Sequence, residues 1–253
     1  MRERHSEDAT RANARVALVT CAELPDLDAD DRLLLAPLAD RGLAARAVVW
    51  DDPAVDWAAY DLVVLRDPWD YVERRDAFVA WAAGVPRLAN PADVVAWNTD
   101  KRYLGELAAA GVPVVPTAWV RPGDGWRSPE AGEFVVKPVV GAGSRDTGRY
   151  DAGRPEDRRL AETHVARLAA AGRTAMVQPY LAAVDTHGET ALVFLGGAYS
   201  HAVRKGAMLT GPDVGDDSLY RPETIAPRTP GTAERAVAER ALAACPFPAD
   251  RLL

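Results

Sequence analysis

The chain is short of sulfur, of basic charge and of long apolar runs. Its two cysteines, Cys21 and Cys245, stand far apart and without C-x-x-C spacing, which argues against a disulfide framework and against a cysteine zinc site. Cys21 follows a strand and reads as a small buried hydrophobe rather than a nucleophile. A formal charge of -7 excludes a general electrostatic attraction to nucleic acid or anionic membrane, while local basic sites stay open. No apolar run approaches the ~18 residues of a membrane-spanning helix. The opening segment "MRERHSEDATRAN" is polar, mixed in charge and without the apolar stretch of a signal peptide. Residues 1–14 are therefore expected to form a flexible extension, and the cytoplasm is the expected compartment.

What is present fits a soluble globular protein. At 253 residues, 48% hydrophobic and 26% charged, the chain can bury a full core and divide into one to three domains. Residues 15–97 alternate strand and helix signals. "RVALVT" (15–20), "AARAVVW" (44–50) and "DLVVLR" (61–66) read as strands. "DADDRLLLAPLADRG" (28–42) reads as one helix with acids in its first turn and Gly42 as its stop, and "ERRDAFVAWAAG" (73–84) as another. Strands alternating with helices predict βαβ units on a parallel sheet. The layout is Rossmann-like, although no G-x-G-x-x-G follows the first strand.

From residue 98 the plan changes to α+β with antiparallel hairpins. Asn98 or Thr99 can cap a helix running to about Ala110, which Gly111 and Pro113 stop. Strands are expected at 114–120, 133–140, 147–151, 174–181, 189–197 and 198–205. Helices are expected at 154–172 and from Thr232 to Ala244, and a loop rich in Gly, Asp and Pro at 206–230.

"GEFVVKPVVGAGSRDTGRY" (132–150) carries the chemistry. A β-forming run ends in Lys137 just before a glycine-rich polar loop. A lysine is costly in a buried strand unless its ammonium meets an anion, and glycines let backbone approach that anion closely. A P-loop would put its lysine after the glycines and into a helix; here Lys137 precedes them and a strand follows. Strand, lysine, mobile Gly/Ser loop, strand: this is a hairpin lid whose N–H groups could hold phosphate oxygens while Lys137 neutralises charge. The plain alternative is a strand leaving the core with a solvated lysine and a flexible turn.

"NTDK" leading a helix, "FVVKP" followed by "GAGS", "VQPYL" and "YSHAVRK", in this order, resemble the ATP-grasp superfamily, in particular its glutathione-synthetase-type ATP-binding domain. "PAVDWAAYDLVVLRDPWDY" and "NPADVVAWNTDKRYL" are also similar to bacterial relatives of O-ureido-serine cyclo-ligase, which closes the cycloserine ring. The resemblance spans about residues 15 to 253. It implies a Rossmann-like N-terminal substrate domain at 15–97, then an ATP-grasp domain of two α+β subdomains, 98–177 with the glycine lid and 178–253. The activity implied is an ATP-dependent carboxylate–amine ligase or cyclo-ligase acting through an acyl phosphate. Its substrate would be a small amino-acid-like molecule, with no nucleic-acid or membrane partner; self-association into a homo-oligomer stays open.

Carried over residue by residue, Lys101 and Lys137 would be the two nucleotide lysines, with Gly141, Gly143 and Ser144 as the lid. Gln178, Tyr180 and Leu181 would form the hinge at the adenine edge. Pro179 cannot donate, so Leu181 is the expected N–H donor. Glu189 would bind ribose, or else be a solvated strand-end glutamate. The plain alternative for Lys101 is an exposed lysine in a first helical turn, a placement the helix dipole disfavours. Strand alternation places Tyr199, His201, Val203 and Lys205 on one face and Arg204 on the other. The family's basic residue lines up better with Lys205, so the resemblance implies Lys205 on the transferring phosphoryl group, with Arg204 the second candidate. His201 reads as structural rather than as an acid/base. In the first domain Arg66 and Asp70, in "RDPWDY" after the third strand, are expected to bind substrate, because parallel sheets place ligands beyond the carboxyl ends of strands. Trp69 and Tyr71 read as packing residues, and the acids of "ELPDLDADD" (23–31) mostly as caps.

One part of the family pattern is missing. ATP-grasp enzymes hold two Mg²⁺ ions on strands after the last helix, and this chain stops at "PFPADRLL", with "RLL" expected to open a strand. Asp213, Asp216 and Asp217 lie in the loop before that helix and do not replace those ligands. The resemblance thus implies ATP and Mg²⁺ as cofactors, with metal ligands expected past Leu253. The alternative is a non-catalytic nucleotide-binding homologue.

Overall fold

The computed structural model describes residues 14–213, 219 and 223–252. Residues 1–13, where the flexible extension was expected, and Asp216 and Asp217 lie outside the described residues. The chain divides into two compact units, one of residues 1–97 with 251–253, the other of residues 98–250.

The first unit is built on a parallel sheet. β1 (Arg15–Thr20), β2 (Ala44–Val49), β3 (Leu62–Asp67) and β4 (Leu88–Ala89) lie in the order β2-β1-β3-β4. Val16 and Leu18 of β1 pack with Leu27, Leu35, Leu38 and Leu43 on one face, so the apolar run buries the sheet's centre as parallel sheets require. The single helix expected at 28–42 is two short ones, α1 (Ala29–Arg32) and α2 (Leu35–Asp40). Pro37 explains the break, because it has no N–H to return to the Leu33 carbonyl. Asp28 caps α1 by accepting the Asp30 N–H at 3.0 Å, and Gly42, at φ +72°, lies beyond the end of α2. α3 (Arg75–Ala83) carries Phe78 and Ala82 into the interior.

α4 (Ala92–Asn98) was not expected, because two adjacent β-branched residues, Val94 and Val95, weaken the helix signal. Their burial offsets that cost. Asn98 therefore ends a helix instead of capping one. The next helix, α5 (Tyr103–Ala109), is preceded by Asp100, whose carboxylate accepts the Arg102 N–H at 3.0 Å.

In the second unit β5 (Ala118–Val120), β6 (Glu133–Pro138), β7 (Gly148–Asp151) and β8 (Ala175–Pro179) form an antiparallel sheet in the order β5-β8-β6-β7. The strand expected at 114–120 is cut to three residues, since Pro113 and Pro116 remove two ladder donors. The 177/178 division expected between subdomains falls inside β8. α6 (Pro155–Ala170) covers one face of this sheet. Phe134 and Val136 of β6, Tyr150 of β7, Val177 of β8 and Val165 and Leu168 of α6 share one core. Because side chains alternate, Val135 and Lys137 face the other way.

After the short α7 (Ala183–His187), a second antiparallel sheet holds β9 (Glu189–Leu195), β10 (Ala198–Lys205) and β11 (Ile225–Arg228) in the order β11-β10-β9. β11 was expected to be loop; it is an edge strand, the one place a ladder accepts Pro227. β10 bulges at Ser200, where its register to β9 shifts. The bulge turns Tyr199 away from the face of His201, Val203 and Lys205, so the four residues do not share one face as expected. Tyr199 instead stacks under Arg235 of α8 (Thr232–Ala244), 4.2 Å from guanidinium carbon to ring centre. Residues Ala249–Arg251 form a 3₁₀ turn after Pro248, not the start of a strand. Among the described residues no helix is long and apolar enough to cross a membrane.

The core of the second unit gives a stability prediction. Phe134 is 3% exposed and stacks on Tyr150 at 5.7 Å between ring centres. Phe134→Ala should cost about 3–5 kcal/mol in urea denaturation, whereas Leu33→Ala, at a side chain 72% exposed, should change stability by less than about 0.5 kcal/mol. Equal losses from the two would contradict the core assignment.

Candidate active site

A cavity of about 500 Å³ opens on the face of the β5–β8 sheet that α6 does not cover. Its floor is Val135 and Lys137 of β6 with Gln178 of β8, and the register sets Val135 opposite Gln178. Gln178 is fixed there by donating to Thr117 Oγ1 at 2.9 Å. Glu189 and Lys205, from the facing ends of β9 and β10, add a charged wall.

Lys101 reaches this cavity from the segment before α5. Its N–H donates to the Val139 carbonyl at 3.0 Å and its ammonium to the Gly141 carbonyl. The segment is thereby anchored to the start of the glycine loop. Burial, followed by the repulsion of the Lys137 charge, pushes the Lys101 ammonium down to about 8, with Asp100 pulling the other way. Burial also lowers Lys137, opposed by the negative field of Glu189. Two cations held close in a dry place make an anion site.

The loop 139–147 between β6 and β7 forms the remaining wall with Gly141, Gly143, Ser144 and Arg145. Gly143, Ser144 and Asp146 all have left-handed φ, +59°, +58° and +51°. Such turns can bring successive N–H groups to bear on one anion. A Cβ at Gly141 would stand 2.9 Å from Pro138 Cγ, so a side chain there would displace the loop.

At the other end lie Pro179, Tyr180 and Leu181. The Tyr180 N–H is committed to the Glu133 carbonyl at 2.8 Å. Its ring lies 3.7 Å under the Arg149 guanidinium, which is itself held by Glu133 at 2.8 Å and Asp185 at 3.0 Å. This end of the cavity is rigid before any ligand arrives.

Ten of the site residues expected from sequence thus line one cavity: Lys101, Lys137, Gly141, Gly143 and Ser144 on one side, Gln178, Tyr180, Leu181, Glu189 and Lys205 on the other. Arg204 does not line it. It points to the opposite face of β10, donating to the carbonyls of His187 at 2.6 Å and Thr186 at 3.1 Å. His201 is exposed and bonds Ser200 Oγ at 3.0 Å.

Arg66 and Asp70 belong to the first unit. Arg66 donates to Asp31 at 2.9 Å. Asp70, 5% exposed, accepts from Trp50 Nε1 at 2.8 Å and pairs with Arg74. Asp67 beside them is fully buried, and burial lifts its carboxyl to about 6 against the pull of the Asp28 N–H, with Asp31 adding to the rise. Trp69 donates to Asp67 at 3.2 Å and Tyr71 packs on Phe78. Cys21 is fully buried, which raises its thiol.

Sequence reasoning missed Glu223, Arg145, Met208 and Leu209, all of which line the cavity. Glu223 pairs with Lys205 at 2.6 Å. Its place follows from β11, a strand that a proline-bearing edge does not announce. Arg145 could have been found, since it sits inside the quoted loop. Among the described residues no group of three or more His, Cys, Asp or Glu side chains could hold a metal ion.

Residues 16–90 match the family described as D-cycloserine synthetase DcsG, N-terminal domain. The cycloserine biosynthesis protein DcsG of Streptomyces lavendulae is 42% identical over 243 residues, which cover 90% of this chain and 79% of that protein. The crystal structure of D-cycloserine synthetase DcsG superimposes with a TM-score of 0.77 at 41% identity, over 91% of this chain and 80% of that one. D-alanine–D-alanine ligase from Bacillus anthracis, solved with ATP, shares the fold at 12% identity, TM-score 0.59, over 92% of this chain and 78% of that chain. The parallel sheet and the antiparallel sheets are thus those of an ATP-grasp fold, and the chain belongs to the DcsG family of that fold.

Proposed function

We propose that the chain is an ATP-dependent ligase that activates the carboxylate of an amino-acid-like substrate and joins it to an amine, in the same molecule when a ring is closed. The observation that carries this reading is the pair Lys101 and Lys137, two ammonium groups depressed by burial in one cavity beside a glycine loop. A polyphosphate supplies the missing counter-charge. The 42% identity to the cycloserine biosynthesis protein supports the ring-closing form, with O-ureido-serine as the substrate to try first.

In this reading adenine lies against Gln178, Tyr180 and Leu181. With the Tyr180 N–H already bonded to Glu133 and Pro179 unable to donate, the base receives its N–H from Leu181. Glu189 takes the ribose. Lys101 and Lys137 hold the α- and β-phosphates, and the N–H groups of the 141–144 loop close over them. Lys205 exchanges Glu223 for the γ-phosphoryl group. A substrate carboxylate oxygen then attacks γ-phosphorus and ADP leaves. The nucleophilic nitrogen, which in O-ureido-serine is the ureido N–H bonded to oxygen, attacks the acyl carbon, inorganic phosphate departs with the bonding electrons, and the nitrogen loses a proton. The ring then still carries the carbamoyl group, which one water removes as carbon dioxide and ammonia. Fixed cations that meet charge as it develops supply the greater part of the acceleration. Arg66, in the first unit, is assigned to binding substrate. Asp70, bonded to Trp50 and Arg74, is assigned to the same substrate site of the first unit.

Mg²⁺ would supply counter-charge to the β- and γ-phosphates when bound with the nucleotide. The acids described beside the cavity do not make a site for it: Glu223 is paired with Lys205, and Glu189 faces Lys137. Every step above is therefore assigned to side chains of this chain.

The test is ADP formation from ATP and Mg²⁺ with O-ureido-serine, compared with ATP alone. Substrate-dependent ADP release is expected; ATP binding without ADP release with this substrate or any acid and amine pair would favour the purely nucleotide-binding alternative. Lys137→Met should weaken ATP binding by ~1.5–3 kcal/mol in calorimetry, the value of a charge-assisted contact, and unchanged affinity would overturn its role. Lys205→Met should lower turnover by about 10²–10³ while leaving ADP affinity nearly intact, the pattern of a group that acts on the transferring phosphoryl.

A further inference from the structure

Two walls of the cavity come from different sheets. The glycine loop 139–147 joins β6 to β7, and the segment 206–213 follows β10 and contributes Met208 and Leu209. They meet where Ser144 Oγ lies 3.7 Å from Met208 Sδ. Behind that contact, away from the cavity, both are gripped by one side chain of α6. Arg167 donates through Nη1 to Asp146 Oδ1 at 3.0 Å and through Nη2 to Asp213 Oδ2. Asp146 is part of the glycine loop; Asp213 closes the other segment.

The two ends of this fork differ in stiffness. The Asp213 side chain is 2% exposed, and a buried carboxylate that loses its cation is costly. The main chain of the same segment is seated just as firmly. The Asp213 N–H donates to Tyr150 Oη at 3.3 Å, and the Gly211 carbonyl accepts the Arg149 N–H at 2.8 Å. Tyr150 Oη also shares a hydrogen bond with His164 Nδ1 at 2.8 Å. The buried His164 Nε2 lies 3.9 Å from Asp213 Oδ2. Gly148 makes the seating possible, because a Cβ there would stand 2.5 Å from the Asp213 nitrogen. On the loop side Asp146 is more exposed, is shared with Arg173 and sits at φ +51°. Its bond to Arg167 is the one that can stretch.

We infer that Arg167 is a positioning residue that couples the glycine loop to segment 206–213, so that closure of the loop over a nucleotide sets the second wall of the cavity for the other substrate. This rests on the nucleotide reading above. Arg167 is suited to the task because its planar fork engages two carboxylates at once, which a lysine does not reproduce. A mere clip would hold both segments equally with and without nucleotide. A coupler transmits the change, and its removal uncouples the segments without preventing either from forming.

Hydrogen exchange with and without ADP separates these cases. In the wild-type protein ADP should slow exchange in both 139–147 and 206–213. In Arg167→Gln the glycine loop should still be protected by ADP, while the response of 206–213 falls by about tenfold, in the usual range for coupling between sites. Asp146→Asn, which cuts only the loop side, should give the same pattern, and the double variant should add nothing beyond either single one. Protection of 206–213 by ADP in both variants as in wild type would overturn the inference, as would ADP protection of 139–147 alone in the wild type; both leave the nucleotide reading standing. No ADP effect on either segment would overturn that reading and the inference together.

Discussion

Two ammonium groups in one partly dry cavity set the terms for the rest of the second unit. Lys101 is pushed down to about 8 by burial and by the charge of Lys137, and Lys137 is itself lowered by burial. Such a pair raises the free energy of the ligand-free protein, and the fold must hold it from several sides. The Lys101 N–H is tied to Val139, its ammonium to the Gly141 carbonyl, and the sheet beneath is locked by a core that includes Phe134, Val136 and Tyr150. Removal of the repulsion by a bound polyphosphate is then part of the binding energy.

Strand alternation does the placing. On β6, Phe134 and Val136 enter the core and Val135 and Lys137 enter the cavity; on β8, Val177 enters the core and Gln178 the cavity. A slip of one residue in β6 would bury Lys137 and expose Phe134 and Val136, and one in β8 would bury Gln178 and expose Val177. Antiparallel pairing of β6 with both β7 and β8 fixes that register. Lys205, a further cation of the cavity, comes from another sheet and is paired with Glu223. The cavity therefore joins a rigid floor to more adaptable walls, the division of labour expected where a loop must close over a substrate.

Much of this was legible in the chain because the lysine and glycine loop break a local rule. Nothing in ordinary strand packing calls for Lys137 ahead of "GAGS", and the departure points to an anion. The alternating strands and helices of the first unit were readable for the same kind of reason, since periodicity survives without tertiary knowledge. Other features were not. Pro37 splits a helix whose apolar spacing looks continuous, and buried Val94 and Val95 stabilise a helix that their propensity disfavours. The Ser200 bulge shifts the face of Tyr199, a change that depends on pairing with β9. Glu223 meets Lys205 because β11 docks on an edge, and an edge strand containing Pro227 leaves no pattern to read.

The central claim is that an anion relieves the two lysines, and it predicts a proton balance. With its ammonium near 8, Lys101 is about half neutral at pH 8. A bound polyphosphate raises it back toward its ordinary value, so binding must take up a proton. Calorimetric titration of ATP at pH 8, in two buffers of different ionisation enthalpy, measures that uptake directly. Net proton uptake beyond the nucleotide's own titration should accompany ATP binding, and it should be smaller in Lys101→Met. Heats that are the same in both buffers, with ATP bound, would contradict the account.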